Sequence, residues 1–196
     1  MTKSNSDQFS RRSFLKGSSA AAAATALATS QVASEAQAQG PKVASGWQTI
    51  TLNVNGKKHQ AKVEPRTTML EVLRYQLNLT GAKPVSMDGS SGASTVLIDG
   101  KPAMASTTLA LAAKGKKIET VESLAGDEVP KAFVEHDAEQ CGFCTPGFVV
   151  ATRAFLNKNP NASEEDVRKG LNGNICRCGT YANVIQAACS VAKGGK

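Results

Sequence analysis

Gln140-Cys141-Gly142-Phe143-Cys144-Thr145-Pro146-Gly147 and Asn174-Ile175-Cys176-Arg177-Cys178-Gly179-Thr180-Tyr181 hold four of the five cysteines in this 196-residue chain. The spacing is C-x2-C, 31 intervening residues, then C-x-C. Four thiolates in two tight pairs can complete the tetrahedral coordination of both irons of a [2Fe–2S] unit, with each pair binding from one short turn. Two other chemistries use the same residues. A tetrathiolate zinc site is a common structural device, although C-x-C is unusual for it. Disulfides are compatible with an oxidising compartment, but C-x-C cannot easily close on itself and five cysteines leave thiols over. Cys189 lies outside both motifs and reads as a buried structural thiol.

Around the cysteines the sequence is helical. The pattern predicts helices over 129–138 with Pro130 in the first turn, over 146–157 with Asn159-Pro160 as its stop, from Ser163-Glu164-Glu165-Asp166, and over 180–192. Each cysteine pair then precedes a helix of a four-helix domain spanning 131–193. Residues 122–130 read as a polar connector.

Upstream the period changes. Thr49 to Val54 alternates polar and apolar, Asn55-Gly56 supplies a two-residue turn, and Lys58 to Val63 returns as a second strand. Thr67 or Thr68 can cap a helix carrying Met69, Leu70, Val72, Leu73 and Leu77 at helical spacing. Strands at 95–98 and 103–105 flank Asp99-Gly100, and Lys117 to Val121 reads as a closing strand, making 47–121 a small sheet domain in an α+β fold.

At the N-terminus, Ser10-Arg11-Arg12-Ser13-Phe14-Leu15-Lys16 precedes an Ala-rich run, and Ala36-Gln37-Ala38 offers a cleavage site. This resembles a twin-arginine export signal over 1–38, with 39–46 as a linker and a periplasmic destination. The run is too short and too weakly apolar to span a membrane. Removing 1–38 takes four basic and two acidic residues and lowers the formal net charge from +7 to +5. No Lys/Arg run interleaved with aromatics remains, so nucleic acid is not an expected partner. No nucleophile with its base, paired carboxylates or phosphate loop can be assembled. His59 and His136 have no ligand partner at metal spacing.

The two cysteine motifs resemble the C-terminal cluster motifs of the small iron–sulfur subunit of the xanthine oxidase family of molybdenum hydroxylases. With the export signal, the resemblance narrows to the periplasmic aldehyde oxidoreductase and isoquinoline 1-oxidoreductase type and covers residues 47–190. It implies a plant-type ferredoxin-like (β-grasp) domain before the helical [2Fe–2S] domain, with the cluster on Cys141, Cys144, Cys176 and Cys178. It also implies that Gln140 and Cys178 approach a molybdenum–pterin cofactor in a large partner subunit. Arg177, between two ligands, could tune or cover the cluster.

The resemblance breaks at one place. The family's first domain carries its own cluster on a C-x4-C-G-x-C-x11-C pattern, and here those positions are Ser86, Ser91, Ser94 and Ser106. Serine is a weaker acid and a harder ligand than cysteine, so four serines should not retain iron and sulfide. The expectation is a cluster-free loop whose hydroxyls bond to backbone amides, against an ordinary Gly/Ser loop aligned by accident. The chain then reads as the electron-transfer subunit of an oxidoreductase, with no active site of its own. It would pass electrons from molybdenum through one [2Fe–2S] cluster to a flavin subunit, a haem protein or a soluble acceptor. The substrate of the complex would be an aldehyde or N-heterocycle. The alternative is a non-redox structural or binding subunit built around tetrathiolate zinc.

Overall fold

The computed structural model describes residues 43–192, so the signal-like segment lies outside the described residues. Five strands, β1 (Gln48–Val54), β2 (Lys57–Val63), β3 (Thr95–Ile98), β4 (Lys101–Met104) and β5 (Lys117–Glu119), form one sheet in the order β2-β1-β5-β3-β4. β1 and β5 run parallel, with Asn53 beside Lys117 and Val54 beside Ile118; the other neighbours are antiparallel. Asn55-Gly56 and Asp99-Gly100 both have positive φ at each residue, which gives two-residue turns the twist of the strands they join.

Alternation places Ile50, Leu52 and Val54 of β1 and Ala61 and Val63 of β2 on one face, where they pack on Met69, Leu70, Val72 and Leu73. Those four sit on α1 (Met69–Glu71) and the π-helical turn Val72–Gln76 that continues it. Thr68 caps α1 in a capping box with Glu71. The sequence predicts an ordinary helix here; the widened turn lets Leu77 N–H reach the Val72 carbonyl.

After β5, α2 (Glu128–Glu135), α3 (Thr145–Lys158), α4 (Glu164–Gly170) and α5 (Tyr181–Val191) build a second core around Val129, Phe133, Phe148, Leu156, Val167 and Val184. Cys189 is half-buried at its edge. The stretch read as a connector is more ordered than its polarity suggests: Val121–Leu124 is a 3-10 turn, and Asp127 caps α2 by accepting from Val129 N–H. Pro130 therefore sits one turn position deeper than a helix starting at 129 would place it.

β3 is buried on both faces, which the sequence shows only as an apolar run. Val96 and Ile98 face the sheet core, while Leu97 faces Val150 and Ala154 of α3. The close approach continues at the start of α3. A Cβ at Gly147 would collide with the Gly92 carbonyl oxygen and lie 2.9 Å from Ala93 Cα, so only glycine fits. The serine-bearing loop and the first turn of α3 thus touch backbone to backbone.

Candidate metal centre

The two cysteine motifs meet at the N-terminal ends of α3 and α5. Cys144 is the N-cap of α3, and Cys176 and Cys178 lie just before Thr180, the N-cap of α5. Helix N-termini present free N–H groups and positive potential, which favour thiolate over thiol. The loop into Cys141 is tied down by Asn183 of α5, whose Nδ2 donates to the His136 and Asp137 carbonyls at 3.0 and 3.1 Å. Tyr181 fixes the second loop. Its Oη accepts the Cys176 N–H at 2.8 Å, and its ring stands edge-on to Phe148 with centroids 6.2 Å apart.

The thiols pair across the motifs. Cys144 lies beside Cys176, and Cys141 beside Cys178, close enough for Cys176 to act on the Cys144 thiol and Cys141 on the Cys178 thiol. Spacing alone suggested that each motif acts as a unit; the fold gives an inner pair and an outer pair, each with one member from either motif. Cys176 is only 5% exposed and Cys144 half-buried, whereas Cys141 and Cys178 face solvent. Gln140 and Arg177 are exposed beside the outer pair, and Phe143 and Ile175 project next to it.

The inner thiols differ in electrostatics. Burial pushes Cys144 up to about 12, helped by its neighbour Cys176. Burial also acts upward on Cys176, but hydrogen bonds from the Thr180 side chain and the Thr180 and Gly179 backbone outweigh it and bring the thiol down to about 7. The donor set suits a binuclear iron–sulfur cluster, since two pairs of soft sulfurs can serve two irons. Among the described residues, no three His, Cys, Asp or Glu side chains gather about a single ion position. His59 is half-buried on β2, and the His136 carbonyl is held by Asn183.

The serine loop is closed on itself. Ser86 and Ser91 hydroxyls are 2.7 Å apart, and Ser94 and Ser106 hydroxyls 2.9 Å. Ser91 N–H donates to Ser86 Oγ at 2.9 Å, Ala93 N–H to Ser91 Oγ at 3.4 Å and Ser106 N–H to Ser94 Oγ at 3.3 Å. Bonding to backbone amides matches the sequence expectation; the mutual pairing of hydroxyls was not legible there. Ser94 and Ser106 are buried and Ser86 and Ser91 half-buried. The loop also adjoins the cysteine site. Ile175 N–H donates to the Ser91 carbonyl at 3.0 Å, and Asn174 Nδ2 donates to the Gly92 carbonyl at 3.0 Å.

Comparison with known proteins gives a consistent account. Residues 120–189 match the [2Fe-2S] binding domain family, a span containing both cysteine motifs, and residues 8–28 match the twin-arginine translocation pathway signal sequence. The chain is 36% identical over 196 residues to the aldehyde oxidoreductase iron-sulfur-binding subunit PaoA of Escherichia coli K12, covering 90% of this chain and 85% of that protein. It is 37% identical to the nicotinate dehydrogenase small FeS subunit of Eubacterium barkeri, covering 71% and 91%. Among solved structures, quinoline 2-oxidoreductase from Pseudomonas putida 86 superposes with a TM-score of 0.71 at 39% identity, covering 77% of this chain and 94% of that one. The aldehyde oxidoreductase of Desulfovibrio desulfuricans gives 0.70 at 39% identity over 74% of this chain, which there corresponds to 17% of a much longer polypeptide. Among the described residues no helix is long and apolar enough to cross a membrane. The chain belongs to the small [2Fe–2S] subunits of the xanthine oxidase family of molybdenum hydroxylases, the non-catalytic iron–sulfur components of oxidoreductases.

Proposed function

We propose that this chain holds one [2Fe–2S] cluster on Cys141, Cys144, Cys176 and Cys178 and transfers electrons within a periplasmic molybdenum hydroxylase. The observation that carries the reading is the meeting of the two motifs as an inner and an outer thiol pair at two helix N-termini. When bound, the cluster supplies one-electron uptake and release. The chain's own residues do the rest: Tyr181 and Asn183 hold the two loops, α3 and α5 direct positive ends at the sulfurs, and buried Cys176 keeps water from one side. The exposed outer pair, with Gln140, Phe143 and Ile175 around it, is the side that would face the molybdenum–pterin cofactor of a large subunit. An aldehyde or aromatic N-heterocycle is the substrate class suggested by the relatives' names.

In the same reading, the sheet with its core is the ferredoxin-like domain (47–121) and the helical core is the cluster domain (131–193), joined through 122–130. The separate apolar cores support this division. The serine quartet leaves the first domain free of metal, its hydroxyls satisfying one another and the loop amides. That domain then serves as a docking surface, and electrons leave the single cluster for a flavin subunit, a haem protein or a soluble acceptor. The twin-arginine signal fits export of a folded, cluster-loaded subunit. A zinc-holding structural subunit would need four sulfurs about one ion rather than two pairs.

The test is metal content after anaerobic purification with the partner subunit. The reading expects a coloured chain with about two irons and two sulfides, and bleaching on Cys176→Ser but not on Cys189→Ala. A colourless chain with one zinc, or a full spectrum in Cys176→Ser, would overturn it.

A further inference from the structure

A serine, threonine or aspartate that begins a helix ordinarily uses its side chain to cap it. Thr68, Asp127 and Ser163 each accept a backbone N–H of their own helix through the side chain. Thr180, equally suited by type to cap α5, makes no such bond. Its Oγ1 lies instead 3.2 Å from Cys176 Sγ. The Thr180 backbone, at φ −72° and ψ 17°, lies outside the extended conformation of the three capping residues, and its hydroxyl is directed at the sulfur instead.

We propose that the Thr180 hydroxyl donates to the Cys176 thiolate and thereby raises the reduction potential of the cluster. A cluster-bound thiolate has no proton, so of the two atoms only the hydroxyl can donate. Cys176 is buried and Thr180 half-buried, which shields the bond from water and strengthens it. Reduction brings in one electron, converts one ferric iron to ferrous, and breaks no iron–sulfur bond. Part of the added negative charge falls on the ligand sulfurs, so a donor aimed at one of them stabilises the reduced form more than the oxidised form. The bond is confined to the inner pair; Cys141 and Cys178 face solvent. Thr180 is therefore a tuning residue acting through a ligand.

The inference rests on the cysteine assignment proposed above, and one titration separates the two. The purified complex is titrated with dithionite and mediators, and the cluster is followed by visible absorbance and by the resonance signal of its reduced form. A wild-type protein without a two-iron signal would defeat the assignment before any variant is compared. With the cluster present, Thr180→Val should lower the midpoint by about 59 mV, a tenfold loss in the one-electron equilibrium constant. Thr180→Ser, which keeps the hydroxyl, should remain near wild type. An unchanged midpoint in Thr180→Val, or an equal shift in Thr180→Ser, would overturn the proposal. If the valine variant assembles no cluster, Thr180→Ala carries the same expectation. The wild-type iron–sulfur stretching bands add a readout that needs no variant: they should shift in D2O, and bands indifferent to exchange would also overturn the proposal.

Discussion

Ile175 donates its backbone N–H to the Ser91 carbonyl at 3.0 Å, fastening the residue before Cys176 to the serine-bearing loop. One residue earlier, Asn174 Nδ2 reaches the Gly92 carbonyl, which also accepts from Thr95 Oγ1 at 2.6 Å. The loop that the sequence reads as having lost its metal thus still braces Cys176, the ligand proposed for the other site.

Asn174→Ala should loosen that brace. Asn174 is 7% exposed, and its amide bonds a carbonyl that retains other donors, so the expected loss is about 1 kcal/mol and not the larger cost of an orphaned group. A loss of that size corresponds to about a fivefold change in population. Bleaching by an iron chelator should therefore run about fivefold faster in the variant than in wild type. Equal bleaching rates would mean that the bridge does not support Cys176.

The serine quartet gives a counting experiment. Hydroxyl contacts of 2.7 and 2.9 Å divide it into Ser86 with Ser91 and Ser94 with Ser106, the two-and-two division that two irons require. Wild-type chain should hold about two irons, and the fourfold Ser→Cys variant at 86, 91, 94 and 106, reconstituted with iron and sulfide, about four. Sulfurs sharing an iron stand farther apart than hydrogen-bonded oxygens, so the half-buried 86/91 pair must open slightly. About four irons in the wild type would show that the serine loop binds metal after all.

These relationships mark where sequence reading stops. Both hairpin turns, the caps at Thr68 and Ser163 and the position of each cysteine motif before a helix are local events, encoded within a few residues and legible there. The pairing of Cys144 with Cys176 is not local, because it depends on how the starts of α3 and α5 pack. The two-faced burial of β3 and the Ile175–Ser91 bond are likewise products of packing. Thr180 differs at a more local level. The sequence pattern puts it inside the last helix, whereas it stands one residue ahead of Tyr181 as the N-cap, its backbone outside the extended cap conformation and its hydroxyl at the Cys176 sulfur.

The cluster-free chain should show an early thiolate. Cys176 falls from the ordinary 9.0 to about 7 because hydrogen bonds from Thr180 and Gly179 overcome the upward effect of burial. Cys144 rises to about 12, chiefly through burial. A folded value below the unfolded one means that Cys176 contributes stability above pH 9.0, and that this is lost as pH falls through 7. Cys144 has the opposite sign: its contribution is complete below 9.0 and lost as pH rises toward 12. Ultraviolet thiolate absorbance should therefore rise near pH 7 in the wild type. That step should vanish in Cys176→Ala and persist, moved upward, in Cys144→Ala, because the Cys144 side chain also helps to lower Cys176.

Gly147→Ala tests the contact between the serine loop and α3. On an exposed helix the change would gain about 1 kcal/mol of helix propensity. Here the new methyl meets the Gly92 carbonyl oxygen and lies 2.9 Å from Ala93 Cα, backbone atoms that cannot rotate away. Overpacking of this kind costs about 1–3 kcal/mol, so the clash should outweigh the propensity and leave a net loss of about 1 kcal/mol. The strain falls on Gly92, which Asn174 holds, and on the turn that begins at Cys144, so cluster retention should drop along with stability. Gly126→Ala is the control: no atom lies within 4 Å of its Cβ position, and urea unfolding should move by less than about 0.5 kcal/mol. If Gly147→Ala unfolds at the same urea concentration as Gly126→Ala and keeps its colour, the loop and α3 are not packed as closely as described.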